Sequence, residues 1–322
     1  MIGVSATPTA LTAQALMPST IGVTATPTPT LAQNQASYVA RKWGMFIHFN
    51  LSTFNNIEWV LPSADINTFN PGSTLNIDQW VTTAQAGKVK YACLTAKHHD
   101  GFCLWPSSVT TRNVSQTTWY AANGSIDIVS QFTTKFRAAG ITPLLYFSVW
   151  DRWFEANRTV TQAAYRTYLE GQITELLTNY GAIGGLWLDG MFWHSGSTSY
   201  PWDTTAELNS FIHNLQPACL EVNNSHSLNL IDSDIVVYEN NVGLPPSNNT
   251  NPAEYVDTIR SDANWFWKPV SETTQTSASI LANLATCNAR NASMMINVPP
   301  DNTGNMVSAD VTTMTAIGNS LP

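Results

Sequence analysis

From about residue 43 the chain alternates short apolar runs with amphipathic segments, and this alternation narrows the fold more than any other feature. The apolar runs read as strands at Gly44–Asn50, Lys90–Ala96, Ile141–Val149, Gly184–Leu188, Cys219–Val222, Asp234–Tyr238 and Ser293–Val298. Helical periodicity occupies Ile77–Ala86, Ile126–Ala139, Thr161–Asn179, Thr204–Leu215 and Thr273–Arg290. Strands without a polar face must be covered on both sides, which implies a parallel sheet with helices packed against it. Seven or so such units predict an α/β fold, a (β/α)8-like (TIM-type) barrel with room for one irregular or missing unit. An open doubly wound sheet is the alternative, but no Gly-x-Gly-x-x-Gly follows the first strand. Gly87, Gly140 and Gly181 fall just past three helices, where a left-handed cap favours glycine.

Residues 1–34 differ in composition. They are rich in Thr, Pro and Ala, and Ile2–Thr9 is echoed by Ile21–Thr28. Frequent proline argues against a regular helix, so an N-terminal arm is expected over 1–34, with the catalytic barrel over 35–322. No run of 18 apolar residues is present, so no membrane span is expected, and no intact signal peptide is visible at the N-terminus. Only 11% of residues are charged, against roughly 25% in an average globular protein. A net charge of −8 leaves no basic stripe to follow phosphates, so nucleic acid is not an expected partner. Seven Asn-x-Ser/Thr sequons, at Asn50, Asn113, Asn123, Asn157, Asn223, Asn248 and Asn291, suit a secreted glycoprotein. Of the four cysteines, Cys93 and Cys219 read as buried thiols, and Cys103 and Cys287 carry no assignment.

In a barrel the chemistry gathers at the C-terminal ends of the strands. There the chain places His48 and Asn50, then His98-His99-Asp100, then Tyr146-Phe147-Ser148, then Asp189, Asn223-Asn224, Glu239 and Asn297. Carboxylates, imidazoles, amides and aromatic rings suit a polyhydroxylated ligand, with hydrogen bonds to its hydroxyls and a wall against its C–H face. Asp189 and Glu239 lie on different strands, as the two opposed carboxylates of a glycosidase do, and Glu58, Asp151 and Glu254 compete with Glu239 for the acid/base role. Adjacent histidines on a strand point to opposite sides, which argues against His98 and His99 sharing a metal ion. No metal and no cofactor are expected.

The wording around these residues is more specific than their chemistry. Ala96-Lys97-His98-His99-Asp100-Gly101-Phe102-Cys103-Leu104-Trp105-Pro106-Ser107, Ser148-Val149-Trp150-Asp151-Arg152 and Leu186-Trp187-Leu188-Asp189-Gly190 follow one another in this order. Gly44-Met45-Phe46-Ile47-His48-Phe49 precedes them; Pro252-Ala253-Glu254, Trp265-Phe266-Trp267 and Ile296-Asn297-Val298-Pro299-Pro300-Asp301 follow. In these motifs the chain resembles the α-L-fucosidases of glycoside hydrolase family 29, over residues 40 to 305 or so.

The resemblance implies a retaining exo-glycosidase that removes terminal α-L-fucose from an oligosaccharide or glycoprotein glycan. Asp189 would be the nucleophile and Glu239 the acid/base, with Asn241 the position an ungapped alignment offers and Glu254 the fallback. His48, Glu58, Trp59, His98, His99, Trp105 and Tyr146 match the positions that hold the sugar. Phe102–Ser107 with Trp150-Asp151-Arg152 is closest to the subgroup acting on α-1,3/1,4-linked fucose, although Tyr238-Glu239-Asn240-Asn241 replaces that subgroup's Gly-Asn-Glu loop. The C-terminal β-sandwich of many relatives is not expected in this chain. A glycan-binding protein on a decayed hydrolase barrel, a metal-dependent hydrolase and a glycosidase for another deoxysugar are the rival readings.

Overall fold

A computed structural model describes residues 29–157, 161–191, 201–202, 204–225, 227, 230, 233–269 and 273–322. Eight parallel strands close into a barrel in sequence order: β1 Trp43–Ile47, β2 Tyr91–Lys97, β3 Thr142–Ser148, β4 Gly185–Asp189, β5 Leu220–Asn223, β6 Ile235–Glu239, β7 Ala253–Thr258 and β8 Ala292–Asn297. β8 pairs with β1, with Gly44 opposite Met295, which completes the ring. The barrel expectation holds. Helices are described after every strand except β5 and β6, so the irregular units are the two that lead into and out of β6.

Alternation along each strand sorts residues into an inner set and a helix-facing set. Phe46, Tyr91, Cys93, Leu144, Tyr146, Trp187, Leu220, Val222, Ile235, Val237, Val256 and Met295 form the inner cluster. The outer set joins the helices in a larger core that includes Trp43, Met45, Ile47, Leu94, Phe132, Ile173 and Ile317. Both faces of most strands are buried, as the unbroken apolar runs require.

The helix Leu31–Ala40 begins inside the segment expected to be an arm; residues 1–28 lie outside the described residues. Thr30 accepts from the backbone of Gln33 while the Gln33 side chain accepts from Thr30, a reciprocal cap that fixes the helix start. Its Tyr38 is fully buried, with its ring 5.3 Å from that of Tyr91, so this helix seals the N-terminal mouth of the barrel.

Two differences from expectation have local causes. β7 reads Ala-Glu-Tyr-Val-Asp-Thr, and its buried Glu254 and Asp257 break the apolar signature by which the other strands are recognised. Gly140 and Gly181 take left-handed caps at φ 74° and 72°, but after the helix Ile77–Ala86 the left-handed residue is Lys88, at φ 55°. Gly87 has φ −77° and serves instead as a close-approach point, because an added Cβ would lie 2.7 Å from Met314. All four cysteines are buried and unpaired. No helix among the described residues is long and apolar enough to cross a membrane.

Candidate active site

Each inner residue near a strand's C-terminal end hands over, two positions on, to a polar group at the barrel mouth. Phe46 leads to His48, Trp187 to Asp189, Val222 to Asn224 and Val237 to Glu239, so strand periodicity alone converges these side chains. They surround a cavity of about 170 Å³ lined by Phe46, His48, Glu58, Trp59, His98, His99, Tyr146, Trp187, Asp189, Asn224, Glu239, Asn241 and Trp265. Pockets for drug-sized ligands usually measure about 300–1,000 Å³, so this one suits a single small ring.

Asp189 is held on several sides. Its Oδ2 accepts from the Tyr146 hydroxyl at 2.8 Å and lies 3.7 Å from His99 Nε2. Its Oδ1 accepts from the backbone N–H of Gly190 at 2.7 Å. Gly190 has φ 79°, and a Cβ there would sit 2.6 Å from that of Trp150, so both conformation and space call for glycine. Asn224 Nδ2 stands 3.4 Å from Asp189 Oδ1 and 3.0 Å from Glu239 Oε2. The two carboxylate oxygens are therefore no further apart than the sum of those distances, about 6.4 Å.

The imidazoles form one wall. His48 Nδ1 lies 2.9 Å from Asn297 Oδ1, and His99 Nδ1 lies 2.7 Å from the Ser148 hydroxyl, contacts that orient both rings. Burial pushes His48 down to about 3 and also lowers His98 and His99, so all three are neutral near pH 7 and can both donate and accept. His98 and His99 both line the cavity with ring centroids 4.2 Å apart, contrary to the expected divergence. They lie just past the end of β2, after a register shift between Thr95 and Lys97, so the alternation of a regular strand does not carry through to them. Glu58 accepts from the backbone N–H of Trp265 at 3.2 Å and pairs with Lys268 at 3.3 Å. Burial nevertheless raises its pKa. Among the described residues no cluster of His, Cys, Asp or Glu has the arrangement to hold a metal ion.

Aromatic rings supply the floor and rim. Tyr146 stacks on Trp187 with centroids 5.5 Å apart and planes 17° apart, and Phe46 meets Trp187 edge-on at 5.1 Å. Trp265 packs 5.1 Å from the His48 ring, and Trp59, 41% exposed, stands at the mouth against His99 and Trp150.

Eight of the nine site residues expected from sequence meet in this cavity; Trp105 does not line it. Trp105 is buried behind the barrel mouth, and its indole N–H donates to Glu175 at 2.8 Å on the helix Gln162–Asn179, anchoring that helix to the loop after β2. Two competing carboxylates are also placed elsewhere. Asp151 is fully buried, accepting from Lys97 at 3.2 Å, from the Tyr168 hydroxyl at 2.8 Å and from the backbone of Phe154 at 2.8 Å. Glu254 sits in the floor beneath Trp187, where Tyr38 at 2.8 Å, Tyr91 at 2.5 Å and the Trp187 indole at 3.0 Å all donate to it. With both its oxygens engaged below the cavity floor, Glu254 is out of reach of a bound ligand. Asn224, noted at a strand end, and Asn241, the position an ungapped alignment offered for the acid/base, also line it. Phe46, Trp187 and Trp265 complete the lining without having been singled out as site residues. For Phe46 and Trp187 the available signal was inward register near a strand's end; Trp265 comes from a loop, where only its motif was visible.

The family model described as alpha-L-fucosidase matches residues 63–322. The chain belongs to the alpha-L-fucosidase family. It is 32% identical to alpha-L-fucosidase 1 of Arabidopsis thaliana over 88% of this chain and 58% of that protein. Among solved structures it is similar to alpha-L-fucosidase isoenzyme 1 from Paenibacillus thiaminolyticus, with TM-score 0.77 and 27% identity over 90% of this chain and 76% of that one. It is also similar to a glycoside hydrolase 29 family member from an unknown rumen bacterium, with TM-score 0.74 and 26% identity over 91% and 57%. The chain thus spans a little under three fifths of the length of the curated plant relatives it matches.

Proposed function

We propose that this protein is a retaining α-L-fucosidase that releases terminal α-L-fucose from oligosaccharides or glycoprotein glycans. The observation that carries the reading is the pair Asp189 and Glu239 facing one cavity with carboxylate oxygens no more than about 6.4 Å apart. Retaining glycosidases separate these groups by about 5–5.5 Å, whereas inverting ones leave about 6.5–9.5 Å for a water between them.

Asp189 attacks the anomeric carbon while Glu239 gives its proton to the departing glycosidic oxygen, and the C–O bond breaks to leave a fucosyl ester on Asp189. Glu239, now a carboxylate, takes a proton from water as the water oxygen attacks the same carbon and Asp189 leaves. Neutral His48, His98 and His99, together with Glu58, hold the sugar hydroxyls. Phe46, Tyr146, Trp187 and Trp265 offer an apolar surface suited to the methyl and C–H faces of a 6-deoxysugar. The motif Phe102–Ser107 with Trp150-Asp151-Arg152 supports a preference for α-1,3/1,4 linkages, and the exposed sequons support secretion as a glycoprotein.

The test is release of L-fucose from an aryl α-L-fucoside and from an α-1,3/1,4-fucosylated oligosaccharide, assayed side by side. Turnover of the oligosaccharide far faster than of the aryl fucoside is expected for the linkage-restricted enzyme. Comparable turnover of both fits a broader fucosidase and removes the linkage preference. Binding of L-fucose without turnover of either substrate would replace the enzyme by a glycan-binding protein.

A further inference from the structure

Between the two carboxylates stands one amide. Asn224 is buried, directly follows β5, and shares the inward register of Leu220 and Val222. Its backbone N–H donates to the carbonyl of Leu188 at 2.8 Å, which ties the end of β5 to the residue before Asp189. Its side chain is turned by chemistry rather than by packing. An ionised Asp189 only accepts, so the NH2 end faces the pair, at 3.4 Å from Asp189 Oδ1 and 3.0 Å from Glu239 Oε2. The Tyr146 hydroxyl, the Gly190 N–H and the His99 ring also surround Asp189. Asn224 Nδ2 is within reach of both carboxylates at once.

We infer that Asn224 is the positioning residue of the reaction, a shared donor that sets the separation of the two carboxylates and follows the negative charge between them. This rests on the proposed roles of Asp189 and Glu239. Before attack the charge is on Asp189 and the proton on Glu239. After the glycosidic bond breaks, Asp189 is esterified and neutral, and Glu239 has lost its proton to the leaving oxygen. The second half of the reaction reverses both changes. In each state a single anionic carboxylate lies beside Asn224 Nδ2, so neither half-reaction leaves the half-buried anion without this donor. A hydrogen bond to a charged group is stronger than one to a neutral group, and donation favours the ionised form of whichever carboxylate receives it.

The test compares wild type with Asn224→Ala and with the isosteric Asn224→Asp, measuring kcat, KM and the pH–rate profile on an aryl α-L-fucoside, with circular dichroism to verify folding. Loss of one charge-assisted bond predicts a fall in kcat of about ten- to a hundred-fold for Asn224→Ala, with KM little changed. Both limbs of its profile move to higher pH, because each carboxylate loses a donor that favoured its anion. Asn224→Asp keeps the shape but exchanges the donor for a third carboxylate, and falls further than Asn224→Ala at neutral pH. A folded Asn224→Ala that loses activity without any movement of its profile would refute the shared-donor role, as would an Asn224→Asp protein as active as wild type. A wild-type protein that releases no fucose would remove the underlying enzyme reading as well, and so is distinguishable from these outcomes.

Discussion

Glu254 makes the stability of the barrel depend on pH in a way that one substitution isolates. The side chain is wholly buried beneath the cavity floor, and burial pushes its pKa from an ordinary 4.5 up to about 7, against the pull of hydrogen bonds from Tyr91, Tyr38 and Trp187. The folded protein therefore holds this proton more tightly than the unfolded chain does. Glu254's favourable contribution is complete below its unfolded value and is lost as pH rises toward 7. At 1.36 kcal/mol per pH unit the full contribution is about 3 kcal/mol, most of which disappears between pH 5 and pH 8. Other groups titrate in the same interval. Asp100, raised by burial to about 6, adds a loss of the same sign, whereas His48, lowered by burial to about 3, contributes stability that is lost as pH falls below about 6.5. Glu254→Gln removes only the Glu254 term, so the quantity to follow is the difference in unfolding free energy between wild type and this variant. Urea unfolding followed by circular dichroism at several pH values should show wild type losing about 2–3 kcal/mol relative to the variant between pH 5 and 8, roughly 3–4 °C if read as melting temperature. A difference that stays constant across that range would refute the argument and mean that Glu254 ionises normally inside the barrel.

Further expectations address the site and the surface. Glu239→Ala should lose most activity on substrates with a poor leaving group, keep more on an activated aryl fucoside, and recover with added azide; an unchanged rate on oligosaccharide would take the acid/base role from Glu239. Trp105→Phe removes the indole donor from Glu175 and should cost about 1–2 kcal/mol of stability while leaving KM for an aryl fucoside unchanged, whereas a raised KM with normal stability would return Trp105 to the sugar site. If the chain is made in a secretory host, peptide mapping should find glycans at exposed Asn248 or Asn291 or at half-buried Asn123. It should find none at Asn50, Asn113 or Asn223, which are buried, and a glycan on any of these three would contradict the fold around them.

The barrel was legible because seven of its eight strands are short, largely apolar runs separated by five longer helical segments. β7 escaped because a barrel interior tolerates a polar side chain when partners surround it. The partners of Glu254 come from a helix, from β2 and from β4, far apart in sequence. The chemistry-bearing residues were legible as interruptions of apolar runs: a carboxylate after Leu186-Trp187-Leu188, or two histidines after Tyr91–Lys97. Residues that look like core were not. Phe46 and Trp187 are strand residues whose inward register puts them under the ligand cavity, and an apolar run that is buried on both faces does not show which of its residues point inward. Trp105 failed for the converse reason. Its motif matched, but its indole is committed to Glu175.

The central claim is that Asp189 forms a covalent bond to the sugar, and the most direct measurement is to trap it. The protein would be incubated with 2-deoxy-2-fluoro-α-L-fucosyl fluoride, in which the C2 fluorine slows both steps while the fluoride leaving group keeps formation of the ester faster than its release. Mass spectrometry of the intact and then the digested protein should find one added deoxyfluorofucosyl group, located on the peptide that carries Asp189 and absent from Asp189→Asn. An adduct on another carboxylate, or steady turnover of fucosides with product of inverted anomeric configuration, would contradict the assignment.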